Sequence, residues 1–300
     1  MAGISGGKGM TTLLKSGEVA RRLTVSEVGM RTARVFPRRI KKATPSGDLV
    51  FTREPGLFRP DVDEVHISVT FTWDLPRAHY LAEAWKAIAP VKIGGPATGM
   101  RGESFVPGMY LKKGYVITSR GCPNNCWFCE VPKREGNVRE LPITEGWNVL
   151  DDNLLACSEK HILEVVDMLR GQKHKAEFTG GLEAARLTNP IAHALRSIKP
   201  DSVFFAYDTP DDWEPLVNAA QMLWNVGFPV KKHCVRAYVL IGYPKDTLRD
   251  AERRLRAVLS LGVMPFAMLW REKTTGMHRG FPWADLQRKW ARPAIIARVA

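Results

Sequence analysis

The residues of this chain best suited to chemistry lie in one run, Arg120-Gly121-Cys122-Pro123-Asn124-Asn125-Cys126-Trp127-Phe128-Cys129, with three cysteines spaced C-x3-C-x2-C. Three thiolates can hold three irons of a [4Fe–4S] cluster, whereas an electron-carrying cluster normally takes four cysteines. One iron is then left open to a small chelating ligand. Cysteines two residues apart are also common zinc ligands, but a structural zinc wants four protein donors. The nearest downstream candidates, Cys157 and His161, fall at what reads as a helix start. Five cysteines in 300 residues, three of them bunched, do not make the paired framework of a secreted, disulfide-stapled chain.

This spacing resembles that of the radical SAM superfamily, where the open iron binds S-adenosylmethionine (SAM). Phe128, directly before the third cysteine, fills a position that the superfamily keeps aromatic or bulky. The resemblance implies a [4Fe–4S] cluster on Cys122, Cys126 and Cys129, SAM as cosubstrate, and an external one-electron reductant such as flavodoxin or ferredoxin. It implies reductive cleavage of SAM to methionine and a 5′-deoxyadenosyl radical that abstracts hydrogen from a substrate. Residues 120–136 also look like the cysteine loop of the tRNA methylthiotransferases, which points to RNA modification or methylation. Those enzymes carry a second, N-terminal three-cysteine cluster and a C-terminal RNA-binding domain. Here no cysteine precedes Cys122, and little chain follows Trp290.

The elements that must position this loop read as parallel βα units. Strands are expected at residues 115–119, 147–151, 176–179, 202–208, 233–241 and 263–270, with helices between them. Six such units match the partial (β/α)6 barrel of radical SAM enzymes over residues 114–275, and ligands of such barrels gather at the C-terminal strand ends. SAM offers an ammonium, a carboxylate, ribose hydroxyls and an adenine, so its pocket needs acceptors, a cation and a flat slot. By the resemblance, Asp151, Asp152 and Asn153 at the second strand end are candidates for the ammonium, in place of the Gly-Gly-Glu of many relatives. Thr179-Gly180-Gly181 closes the third strand. Asp208, closing the fourth, suits the ribose hydroxyls, and Gly242 with Tyr243 suits the adenine in a loop similar to the family's Gly-x-Pro-x-Glu-Thr.

Strand alternation adds a reading of its own. Val235, Ala237, Val239 and Ile241 share an apolar face that should meet helices, leaving Cys234, Arg236, Tyr238 and Leu240 on the other. Arg236 and Tyr238 then point into the barrel. There Arg236 can clamp the SAM carboxylate, or form a buried pair with Asp208 or Asp152. Cys157 and Cys234 are expected to pack as small apolar residues.

The expected organisation is a basic, partly disordered segment (1–29), a small Rossmann-like unit (30–107), and the barrel with a C-terminal helix (108–300). The Gly3 to Gly9 run lacks the Gly-Lys-Ser/Thr order of a phosphate loop. Residues 17–26 read either as the start of a helix-turn-helix or as a short amphipathic helix. In the second unit a strand at 31–36 precedes a βαβ pattern: strand 65–72, helix 76–88 and strand 91–93, ending in Gly94-Gly95-Pro96. It resembles a shortened cobalamin-binding domain, but the Asp-x-His-x-x-Gly signature is absent, so cobalamin is not expected. Val65, Ile67, Val69 and Phe71 are expected to pack. His66, Ser68, Thr70 and Thr72 then form a polar row that either lines a substrate cleft or is simply wet.

Composition bounds the rest. A 45% hydrophobic chain can bury a sizeable core. No apolar run is long enough for a bilayer, and no secretory signal is evident, so a cytoplasmic protein without a membrane partner is expected. The net charge of +13 suits a nucleic acid, although Arg249, Arg253, Arg254 and Arg256 read as a solvated helix face. A competing function is a non-catalytic, zinc-stabilised nucleic-acid-binding protein, which leaves the strand-end motifs unexplained.

Overall fold

The computed structural model describes residues 30–299 apart from residues 58, 231 and 232. The glycine-rich opening and the helix-turn-helix reading of residues 17–26 lie outside the described residues. The chain is a mixed α/β protein with two parallel sheets, each with its own hydrophobic core.

The first sheet holds β1 (Thr32–Val35), β2 (Val50–Phe51), β3 (Glu64–Ser68) and, after helix α1 (Leu75–Trp85), β4 (Val91–Gly94). Its order is β2-β1-β3-β4, with every pair parallel. Alternation decides which side of β3 is covered, because Val65 and Ile67 are fully buried while His66 and Ser68 are only half-buried. Against them α1 sets Ala78, Leu81, Ala82 and Trp85, the i, i+3, i+4, i+7 stripe of an amphipathic helix. Pro76 sits in the first turn, where no helical N–H is lost. β3 is shorter than its sequence pattern suggests. Phe71 lies beyond it and stacks on Trp73 at 4.8 Å between ring centroids.

The second sheet begins with β5 (Tyr115–Val116). The chain then leaves it for a two-residue ribbon, β6 (Ser119–Arg120), and runs through helix α2 (Val131–Glu135) to the partner strand β7 (Arg139–Glu140). It re-enters as β8 (Asn148–Val149) and continues as helix α3 (Glu159–Arg170), β9 (Glu177–Leu182), helix α4 (Asn189–Ser197), β10 (Ser202–Tyr207), helix α5 (Trp213–Asn225), β11 (Val235–Ile241), helix α6 (Leu248–Ser260) and β12 (Met264–Leu269). Helices α7 (Phe281–Trp290) and α8 (Pro293–Val299) follow. The order β12-β11-β10-β9-β8-β5 is sequential and all six strands are parallel. Among the described residues β5 and β12 remain edges, so the sheet is open and forms no closed barrel.

Val235, Ala237, Val239 and Ile241 are buried in the core shared with Leu216 and Leu223 of α5 and Leu255 and Val258 of α6. The opposite face carries Phe204, Tyr238 and Phe266 as a mutually packed aromatic group, with Met268 42% exposed beside it. Three strands differ from the sequence pattern, the second being only Asn148–Val149 where the pattern spans residues 147–151. The first strand breaks after Val116 because the Thr118 N–H is taken by the Asp151 side chain (2.6 Å) instead of the sheet. The third runs on through Gly180 and Gly181 to Leu182, with a register shift against β10. Among the described residues no helix is long and apolar enough to cross a membrane.

Candidate functional site

The cysteine loop departs from β6 at the C-terminal edge of the larger sheet and is fastened there by backbone. The Cys122 N–H donates to Gly136 O (3.1 Å), and the Cys129 N–H to Cys126 O (3.0 Å). Gly121 has φ +89°, and a Cβ there would lie 2.3 Å from Asn137 O, so only glycine lets the loop turn against the backbone that links α2 to β7. Under the loop lies a polar tether from the end of β8. Asp151 is 2% exposed and accepts from Thr118 N (2.6 Å), Thr118 Oγ1 (2.6 Å) and Ser119 Oγ (2.8 Å). Burial pushes its carboxyl above the usual range, the three donors working against that rise. Asp152 accepts from Gly121 N (2.9 Å) and is likewise raised by burial, with Arg134 at 3.7 Å opposing. Gly180 makes the approach possible, because a Cβ there would meet Asp151 O at 2.2 Å.

Asn153, only 4% exposed, reaches the cysteines directly. Its Nδ2 donates to Cys122 Sγ (3.3 Å) and to Glu183 Oε2 (2.6 Å), while its Oδ1 is buried without a partner. Glu183 is fixed in turn by Arg186 Nε (2.6 Å). Its signal in the sequence is a carboxylate two residues after Gly180-Gly181, a pattern not read as part of the site.

The ends of β10 and β11 bring the other components. Asp208 accepts from Leu240 N (3.0 Å), and burial, followed by the Asp212 charge, pushes its carboxyl up to about 7. Asp212 is held by Thr209 N (2.7 Å) and Thr209 Oγ1 (3.0 Å) in the capping box of a short 3-10 turn, Pro210–Asp212, that leads into α5. The Cys126 thiol is pushed up to about 11, by burial first, then by Cys129 and Cys122, then by Asp212 and Asp208. The three thiols and both aspartates thus share one neighbourhood. Phe128 is half-buried and packs edge-on to Trp127, which packs edge-on to Tyr243 (5.8 Å). Gly242 donates its N–H to Asp246 Oδ2 (2.9 Å), and Asp246 is clamped by both terminal nitrogens of Arg254. Asp246, lying within the fifth strand-end loop, is therefore its anchor. A cleft of about 560 Å³ beside this loop is lined by Tyr207, Trp213, Tyr243 and Lys245, among others.

The structure corrects the reading of Arg236. It is the second residue of β11, about 16 Å of strand from the C-terminal edge at ~3.3 Å per residue. Its Nε donates to His233 O (2.7 Å) and its guanidinium lies over Phe204. It neither reaches the cysteine loop nor hydrogen-bonds to Asp208 or Asp152. Tyr238, on the open face, donates to Thr179 O (3.0 Å) and is pushed up to about 12 by burial. Gly181 (φ +94°) lies within β9 and not in a loop after it. Cys157 is half-buried near Ser119, its thiol pushed up to about 11 by burial, and Cys234 donates to Pro200 O (3.3 Å). His161 faces Thr118 Oγ1 (3.2 Å).

Of the polar row in the smaller sheet, His66 is occupied by Tyr110 (2.7 Å) and Glu64 (2.8 Å). Its far end is linked to the loop: Thr72 Oγ1 donates to Lys273 O, and Lys273 Nζ pairs with Glu130 (2.7 Å), the residue after Cys129.

Among the described residues no three Cys, His, Asp or Glu side chains are already drawn together as a metal cage. The donor set nevertheless fits an iron–sulfur group with one open iron: three thiols on one loop, an amide donor on one sulfur, and a buried acceptor left unpaired beside it. No protein-family model matches the chain, and no curated protein is significantly similar to it.

Proposed function

We propose that the chain is a radical SAM enzyme, its open six-stranded sheet being the partial (β/α)6 barrel of that superfamily, with Cys122, Cys126 and Cys129 holding a [4Fe–4S] cluster. Held by Cys122, Cys126 and Cys129, such a cluster would relay one electron from an external reductant, such as a flavodoxin or ferredoxin, for reductive cleavage of SAM to methionine and a 5′-deoxyadenosyl radical, which would take hydrogen from a substrate.

The observation that carries this reading is Asn153, which joins the β8 end to Cys122 and keeps a buried Oδ1 unpaired. Leaving such an acceptor unmade costs about 1–3 kcal/mol, and the SAM ammonium is a donor that removes the cost. Asn153 then takes the ammonium role, while Asp151 and Asp152 hold the loop in place. Asp208 serves the ribose hydroxyls, and Gly242 with Tyr243 the adenine. The basic charge favours RNA as the substrate to be modified.

Anaerobic reconstitution with iron and sulfide, followed by a SAM-cleavage assay under reducing conditions, tests the proposal. Iron and sulfide in the protein, together with 5′-deoxyadenosine and methionine as products, are expected. One equivalent of zinc in a colourless protein would overturn it in favour of the nucleic-acid-binding alternative.

A further inference from the structure

Two residues before Cys122, Arg120 lies in the field of Glu135 and Asp152 but makes no ion pair with either among the described residues. It lies directly opposite Arg139 across the β6–β7 ribbon, an arrangement in which like charges repel. Glu135, 2% exposed, resolves half of the conflict: it accepts from Arg139 (2.9 Å), Arg134 Nε (2.9 Å) and Gly102 N (3.1 Å). Asp152 is taken by Gly121 N and Arg134. Three guanidinium groups therefore face two carboxylates, and both carboxylates are already engaged.

Arg120 makes no side-chain hydrogen bond among the described residues, and its Nε is buried without a partner, as is the Nε of Arg139. The Gly102 backbone lies against the guanidinium, so closely that a Cβ there would fall 2.7 Å from Arg120 Nε. Only Nε is among the buried unpaired atoms and the residue as a whole is half-buried, so the terminal nitrogens keep some access to solvent. A half-covered, surplus guanidinium whose fork is open matches planar or tetrahedral oxyanions bidentately.

The geometry points to an oxyanion-binding site at Arg120, in the seam between the Gly102 segment and the root of the cysteine loop. Its ligand is the phosphate or carboxylate of a small molecule or of a larger substrate. Binding here does not require a cluster, so its failure would leave the preceding proposal standing.

Thermal unfolding of the full chain, with ionic strength held constant by sodium chloride, tests it using inorganic phosphate and acetate as separate probes. At saturating probe the midpoint should rise by about 2–4 °C. A rise with phosphate assigns the site to phosphate-bearing ligands, a rise with acetate alone to carboxylates, and no rise with either overturns the site. Arg120→Gln should abolish the rise, Arg120→Lys should keep part of it, and the distant exposed Arg170→Gln should leave it unchanged. Without ligand, Arg120→Gln should unfold at about the same temperature as the parent, because relief of the repulsion from Arg139 offsets the lost attraction of Glu135 and Asp152. A lower midpoint, or failure to fold, would make Arg120 a structural residue and overturn the proposal.

Discussion

The two sheets are built on the same parallel logic yet treat the ends of their strands differently. In the smaller sheet, β3 and β4 pass into short turns, and that unit's buried polar side chains are few, Asp74 and Thr44 among them. Asp74 is paired with Arg38, whose side chain is 52% exposed. In the larger sheet, Asp151 and Asn153 after β8 and Asp246 after β11 are all at least 95% buried, in two different strand-end loops. Buried carboxylates are costly unless every lone pair finds a donor. Asp151 finds three, and Asp246 finds Gly242 and Arg254. A sheet that carries this cost at two strand ends, while its neighbour does not, has been shaped for position at that edge as well as for stability.

The largest expected effect separates the cysteines of that edge from those elsewhere in the same sheet. Replacing Cys122, Cys126 or Cys129 with Ala should eliminate bound iron and SAM cleavage. Cys157→Ala and Cys234→Ala should retain both, as read by iron and sulfide analysis of reconstituted protein. If Cys157 proved equally necessary, the site would have four protein ligands and no open iron.

Asp208 offers a pH test in the metal-free chain. Its native carboxyl titrates near 7, above the ~3.9 of an unfolded aspartate. Between these values the native state holds a proton that the unfolded chain has lost, so its contribution to stability falls as pH rises from about 4 to about 7. Asp208→Asn should escape this loss. Its advantage over the parent in urea should grow across that window to at most about 4 kcal/mol and then level off. An advantage that shrank with rising pH would reverse the assignment.

Asp151→Ala strands the donors of Thr118 and Ser119 and should cost about 3 kcal/mol in urea unfolding. Asp74→Ala in the smaller sheet, with its half-exposed partner, should cost no more than about 1 kcal/mol. Equal costs would erase the contrast between the sheets. The smallest effects lie in ligand affinity. On reconstituted protein, calorimetry should show Asn153→Ala weakening SAM binding about tenfold with iron retained, and Arg236→Ala changing it by less than about twofold, since Arg236 sits at the other end of its strand.

Alternation and punctuation made the parallel strands legible, because a strand covered by helices must be apolar at every second residue, as Val235 to Ile241 is. The cysteine spacing was equally plain, being local in sequence. The boundary at Val116 was not, because it depends on Asp151, 33 residues from Thr118, taking an N–H that the pattern assigns to the sheet.

By itself the sequence determined which residues can ligate a metal, which faces are apolar, and the βα order of the chain. Tertiary structure decided which of three adjacent polar residues touches a cysteine, that Glu183 supports it, and that Arg236 stays away. Side-chain direction at a strand end depends on partners brought from distant segments, and a two-residue period can name the face that Arg236 occupies but not how far along the strand its chemistry lies.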